Sequence, residues 1–308
     1  LAGGVALNCV ANGKLHSAGI FDKIFIQPAA GDAGGALGAA YAGQHIYYNQ
    51  PRIPTKQHDA LLGTYLGTEF TTTEIEIFVK QFNAIYQVER DFDKLVTAVA
   101  NLLADGNTVG WFQGRMEFGP RALGARSILA DARSPAMQKK LNLKIKQREG
   151  FRPFAPAVLA EDVQDYFDQN EASPYMLLAK RVKNSNETKL PEDYHNWSMH
   201  DKLNLRRGNL PAITHIDYSA RIQTVHKETN PAFWKLLHAF KQLTGTAVLI
   251  NTSFNIRGEP IVNTPLDAYT CFMCTEMDYL VMGDLIFSKK MQPLWSADDI
   301  QKNEFELD

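Results

Sequence analysis

Between Gly110 and Pro156 the chain crowds arginines and lysines among glycines and prolines, reading GWFQGRMEFGPRALGARSILADARSPAMQKKLNLKIKQREGFRPFAP. A fold that gathers so many like charges must leave them in water or close them around an anion, because an unpaired buried charge is too costly to keep. The excess is local: 32 Lys plus Arg stand against 34 Asp plus Glu, for a formal net charge of -2. A nucleic-acid binder normally spreads its positive charge over a whole face of a domain. Phosphate or carboxylate is therefore the expected guest, and nucleic acid is not.

With 308 residues, 45% hydrophobic and 21% charged, the chain can bury two ordinary cores. No apolar run approaches the roughly 18 to 20 residues of a membrane helix. The basic-then-apolar opening of a secretory signal is missing, and a cytoplasmic location is expected. Three cysteines, Cys9, Cys271 and Cys274, argue against a disulfide framework. Cys271 and Cys274 have the spacing of half a zinc site, but no second pair follows, and both read as core thiols. The opening LAGGVALNCVANGKL reads as a strand and glycine turn with nothing before it to pair with, so the chain is expected to begin inside a domain.

Helical and strand periods alternate along the chain. Residues 31–40, GDAGGALGAA, run from a glycine-rich entry into a small-residue helix that exposes Asp32. From residue 49 to about 90 the sequence is irregular, with Pro51, Pro54 and a run of Thr71, Thr72 and Thr73 before a short helix, and reads as a connection. Leu95, Val96, Val99, Leu102 and Leu103 then fall at helical spacing, with Asp91 or Asp93 as cap and Gly106 as stop, and Thr108 to Phe112 reads as a strand. Ser134-Pro135 opens a helix whose lysines suit its C-terminal end, with Lys139 and Lys140 expected in solvent. Phe151 to Leu159 reads as an apolar strand holding Arg152. Asn230-Pro231 starts an amphipathic helix stopped by Gly245, and the strand 246–251 that follows delivers the 251–255 turn at its C-terminal end, where α/β sheets place ligands. Thr264-Pro265 caps another helix, and Tyr279 to Ser288 supplies a last strand or hairpin. The expected class is α/β or α+β.

Arg115, Arg121, Arg126, Lys146, Arg148 and Arg152 make the cationic set, with Ser253 and Asn255 offering hydroxyl and amide groups from a distant strand end. Arginine forks match phosphate oxygens in pairs, and lysine acts as a point charge. Any one of them is as well explained by a surface ion pair; the whole set suits a polyphosphate. No P-loop and no dinucleotide-binding glycine turn is present. His215, Asp217, Ser219, Arg221 and Gln223 alternate along 212–225, which puts all five on one face of a strand that lines a ligand or faces solvent.

These motifs carry a family resemblance. GWFQGRMEFGPRALGARSIL, KIKQREGFRPFAP, THID with ARIQTV, and NTSFNIRGEPIV together resemble the NodU/CmcH-type O-carbamoyltransferases over nearly the whole chain. The resemblance implies an actin/Hsp70-like ATPase-fold domain joined to a YrdC-like domain with a twisted mixed sheet and helices. It divides the chain into residues 1–48 (end of the ATPase-fold transfer domain), 49–90 (connection), 91–290 (YrdC-like domain) and 291–308 (tail). The implied reaction makes carbamoyl-adenylate from carbamoyl phosphate and ATP, with Mg2+, and passes the carbamoyl group to a hydroxyl of a small molecule.

Position by position, the resemblance assigns Lys146, Arg148 and Arg152 to the phosphates as catalytic residues. Ser253 and Asn255 would contact the nucleotide, Arg121 and Arg126 would be further phosphate ligands, and Gly3, Gly4 and Asn8 look like a nucleotide-contacting turn. Asp32 matches the acidic ligand of a divalent metal, iron, at the transfer site of the full-length protein. The paired histidines completing that site lie earlier in the family pattern, and no two histidines here are four residues apart. The transfer site is therefore expected to be incomplete. The expected assembly is compatible with a homodimer. The alternative readings are an RNA-binding or tRNA-modification-related module and a non-catalytic nucleotide sensor.

Overall fold

A computed structural model describes residues 1–53, 59–183 and 190–295, the side chains of residues 200 and 204 aside; the expected tail lies outside this range beyond residue 295. In chain order the helices are α1 (Cys9–Ser17), α2 (Asp32–Ala42), α3 (Thr72–Lys80), α4 (Phe92–Ala104), α5 (Met137–Lys140), α6 (Val163–Tyr166), α7 (Met199–Asn204), α8 (Pro231–Thr244) and α9 (Pro265–Met273). The strands are β1 (Gln87–Val88), β2 (Val109–Phe112), β3 (Arg126–Asp131), β4 (Ala155–Leu159), β5 (Ala179–Arg181), β6 (Ser219–Arg221), β7 (Gln223–Val225), β8 (Val248–Ser253), β9 (Tyr279–Met282) and β10 (Leu285–Ser288).

Local chemistry sets the main helices. The Asp91 side chain accepts from the Asp93 and Lys94 amides at the start of α4, which buries Leu95, Val96, Val99, Ala100 and Leu103 on one stripe. At α8 the Asn230 side chain accepts from the Phe233 amide, Pro231 fills the first turn, and Gly245 ends the helix at φ 74°. Thr71 with Glu74 and Thr264 with Asp267 form capping boxes at α3 and α9.

Eight strands form one mixed sheet in the order β1-β10-β9-β2-β3-β8-β4-β7, with β2/β9 and β4/β7 parallel and the other pairs antiparallel. The period of two decides which core each residue joins. Leu129 and Leu249 pack with α4 and α8, while Ile128, Ala130, Val248 and Ile250 pack with α3 and α9 on the opposite face. Each of the leucine, isoleucine and valine side chains contributes about 1.5–3 kcal/mol by leaving water. The α/β class expected from the sequence is the class observed. The 49–90 stretch adds α3, whose Ile75 and Val79 join the core, and the edge strand β1.

Three local expectations are corrected. The apolar strand begins at Ala155 rather than Phe151, which leaves Arg152 exposed ahead of it. The run 212–225 is not one strand: Tyr218 turns at φ 60° with its amide bonded to the His215 carbonyl, and β6 and β7 pair with different sheets. Lys140 is not simply solvated, because its Nζ donates to Asp278 Oδ2 at 2.7 Å and to the Gly106 carbonyl at 3.2 Å.

The N-terminal segment docks on this frame through α1. Gly13 lies so close to β5 that a Cβ would fall 2.1 Å from the Ala179 carbonyl oxygen, so only glycine fits there. Buried Asn12 donates to the Ala6 and Leu177 carbonyls at 2.7 and 3.1 Å. By contrast, α2 buries none of its residues in the chain described. No helix among the described residues is long and apolar enough to cross a membrane.

Candidate functional site

Where α1, the 113–125 loop, the segment before β4, β6 and the end of β8 converge, they enclose a cavity of about 340 Å³. Arg121, Arg148, Arg152, His215 and Arg221 line it with Cys9, Met176, Asn251, Thr252 and Ser253, and no Asp or Glu is among the lining residues. Among the described residues no ion pair engages Arg121, Arg148 or Arg221. The Nε atoms of Arg121 and Arg221 are buried without a hydrogen-bond partner. Burial pushes the Arg121 and Arg148 guanidinium groups below their usual range, and Arg152 adds to the effect at Arg148. Arg221 is pushed down by burial and then by the like charges of Arg121 and Arg148. Burial also lowers His215. Arg148 Nε donates to Asn142 Oδ1 at 2.7 Å, and cationic groups this crowded, with no carboxylate among the lining residues, form a receptor for an anion with several oxygens.

The loop carrying Arg121 is held from below by buried polar groups. Glu117 Oε1 accepts from the amides of Leu123 and Ala125 at 2.6 and 2.8 Å. The Leu123 carbonyl accepts from the Tyr65 hydroxyl and Gln223 Nε2 at 2.8 and 2.7 Å, and the Gly124 carbonyl accepts from Trp111 Nε1 at 3.1 Å. Gly124, at φ 104°, meets α8 so closely that a Cβ would lie 2.1 Å from the Phe233 ring. Glu117 is pushed up by burial, opposed by the amide hydrogen bonds and by Arg126. These bonds hold the cavity wall in place before any guest arrives, although Glu117 Oε2 is buried without a partner.

The structure brings Arg121, Arg148, Arg152 and Ser253 to the cavity and separates other expected residues from it. Arg152 is paired three residues back with Glu149 at 2.9 Å. Lys146 sits behind the wall, buried, with its Nζ 2.5 to 3.0 Å from the Ser253 carbonyl and Oγ and the Asn255 carbonyl and Oδ1. Burial, then the Arg148 charge, lowers its pKa to about 7. Asn255 is held by Lys146 and by the Ser253 hydroxyl, which donates to its Oδ1 at 2.6 Å. Lys146 and Asn255 thus shape the turn that presents Ser253.

Arg126, expected among the phosphate ligands, is not among the lining residues of the cavity. It is fully buried, stacks at 3.5 Å over the Phe112 ring, and donates to the carbonyls of Thr68, Gln113, Gly114 and Ala125. Arg115 lies at the surface with Glu69 at 3.3 Å. Gly3 and Gly4 form an exposed turn away from the cavity, and the Asn8 side chain is occupied in capping α1, where it accepts from the Ala11 amide at 3.1 Å. Asp32 is exposed in the first turn of α2, and no group of three or more His, Cys, Asp or Glu among the described residues could hold a metal.

Cys9, Met176, Asn251 and Thr252 are lining residues that sequence reasoning missed. Asn251 was within reach, since it stands two residues before Ser253 on the same face of a strand. A second, mostly apolar cavity of about 1050 Å³ lies between the N-terminal segment and residues 171–178; it holds none of the expected site residues.

Comparison with known proteins follows the same outline. The carbamoyltransferase C-terminus family matches residues 100–289, and the carbamoyltransferase N-terminus family matches residues 1–41. The chain belongs to the carbamoyltransferase family. It is 42% identical over 303 residues to nodulation protein NolO of Bradyrhizobium diazoefficiens, covering 96% of this chain and 50% of that protein. It is 32% identical over 289 residues to the 3'-hydroxymethylcephem-O-carbamoyltransferase of Amycolatopsis lactamdurans, covering 94% and 48%. An uncharacterised protein of Synechocystis is 56% identical over 310 residues, covering 100% and 50%. The chain spans about half the length of these curated relatives. Full-length HypF, in a phosphate- and nucleotide-bound crystal structure, aligns at 14% identity with a TM-score of 0.35 over 66% of this chain and 22% of its own, a likeness too slight to argue from.

Proposed function

We propose that the cavity is the activation site of an O-carbamoyltransferase, binding carbamoyl phosphate and ATP and forming carbamoyl-adenylate for transfer to a small-molecule hydroxyl. The observation that carries this reading is the trio Arg121, Arg148 and Arg221 facing one cavity without a carboxylate among the lining residues. In the reaction, water releases phosphate from carbamoyl phosphate, and an oxygen of the resulting carbamate attacks the α-phosphorus of ATP while pyrophosphate leaves. Negative charge grows on the departing oxygens at each step. Fixed guanidinium groups stabilise that charge more in the transition state than in the ground state, and being preorganised they need little rearrangement to do so. Ser253, held by Lys146 and Asn255, supplies a hydroxyl at the cavity wall.

Isothermal titration of the 308-residue chain with carbamoyl phosphate and with ATP tests the assignment. Saturable binding of both at or below millimolar concentration is expected; absence of binding by either would remove it.

A further inference from the structure

We infer that Gln223 and Asn251 form a two-amide relay that selects a carbamoyl NH2 group beside the arginines of the cavity. The inference rests on the phosphate-site reading above and adds how the other end of the guest is recognised.

Asn251 lies on β8 with no exposed surface and lines the cavity. Its Nδ2 donates to Gln223 Oε1 at 2.7 Å and to the Ala122 carbonyl at 3.3 Å. Gln223 in turn donates from Nε2 to the Leu123 carbonyl at 2.7 Å. The two ends of an amide have similar shape, so orientation must come from the network, and here the network leaves one choice. A backbone carbonyl can only accept, so Gln223 turns its NH2 toward Leu123 and its oxygen toward Asn251. Asn251 must then offer its own NH2 to Gln223 and Ala122, and its Oδ1 is left over. That oxygen is buried and has no hydrogen-bond partner.

An unpartnered buried acceptor has a specific meaning in this cavity. Arg121, Arg148 and Arg221 supply donors for phosphate oxygens, but the Asn251 oxygen would repel them. Its complement is a donor, and a small phosphorylated guest that carries one is carbamoyl phosphate, through its NH2. Acetyl phosphate places a methyl group of similar size at the same position and would leave the oxygen unsatisfied. Sites built to pair a hydrogen-bonding group reject analogues that lack it far more strongly than sites that only measure size. Asn251 is thus the specificity-determining residue, and Gln223, which touches no guest, is its positioning residue.

The test is the ratio of affinities of the 308-residue chain for carbamoyl phosphate and acetyl phosphate, with inorganic phosphate as a third probe, by titration. The ratio does not change with the fraction of protein folded, which neither affinity alone can claim. The wild-type chain should prefer carbamoyl phosphate by about tenfold or more, as expected when a buried acceptor is satisfied by one guest and not the other. Asn251→Ala should bring the ratio close to one, and Gln223→Leu should lower it by releasing the Asn251 amide to turn over. Equal affinities in the wild type, or an undiminished preference in Asn251→Ala, would overturn the relay while leaving the phosphate site standing. Failure of all three probes to bind would overturn the phosphate site and the relay with it.

Discussion

Replacing Arg221 by methionine should weaken phosphate binding and stabilise the empty protein. The two effects have one cause. Arg221 lines the cavity with a buried, unpartnered Nε, and its charged form is disfavoured by burial and by Arg121 and Arg148. In the empty protein the charge is a burden, and each pKa unit by which folding holds a group down costs about 1.4 kcal/mol. Methionine keeps the apolar stem and removes the charge, so a gain on the order of 1–3 kcal/mol follows, read as a rise of several degrees in the midpoint of thermal unfolding. With phosphate bound, the same guanidinium makes charge-assisted hydrogen bonds, and their loss should weaken binding by about 1.5–3 kcal/mol, roughly ten- to a hundred-fold. Calorimetric titration with carbamoyl phosphate and a thermal melt of the same preparation measure both. Arg152, exposed and paired with Glu149, should show a smaller binding loss on truncation and little change in stability. A less stable Arg221→Met chain with undiminished binding would refute the reasoning, because that is the signature of a structural arginine.

Arg126→Met should destabilise the fold by about 3 kcal/mol or more in urea denaturation, because four carbonyls and the neighbouring Glu117 lose the cation they face. Lys146 should titrate near pH 7 when followed by NMR of its side chain. Its folded-state pKa of about 7 lies below the ordinary lysine value of 10.5, so between those limits the unfolded chain holds the extra proton and stability rises with pH. The wild type should therefore gain on Lys146→Met by up to about 1.4 kcal/mol per pH unit above pH 7, measured as the difference between their denaturation free energies; a flat difference across that range would show that Lys146 is not held down.

The elements legible in the sequence were those with a local cause. The stripe Leu95, Val96, Val99 and Leu103, the Asn230-Pro231 start and the Gly245 stop depend on neighbours within a few residues, and the structure has α4 and α8 where they point. The cationic cavity was half legible. Arg121 and Arg148 showed as charges needing a partner, but what separates them from Arg126 is burial among the carbonyls of residues 68, 113, 114 and 125, which no spacing encodes. Arg152 lines the cavity, but not from within a strand: the chain turns there, pairing it with Glu149 three residues upstream, before β4 begins. The alternation from His215 to Gln223 suggested one strand, yet Tyr218 adopts a left-handed turn that a residue of its type rarely takes. Tertiary packing overrode the period, and still delivered His215 and Arg221 to the cavity while Gln223 went to the wall beneath it.

Exchange of labelled pyrophosphate into ATP by the 308-residue chain tests the central claim most directly. Formation of carbamoyl-adenylate at the arginine cavity predicts exchange that requires carbamoyl phosphate and is strongly reduced in Arg221→Met. Exchange that proceeds equally without carbamoyl phosphate, or that survives the loss of Arg221 at full rate, would contradict it.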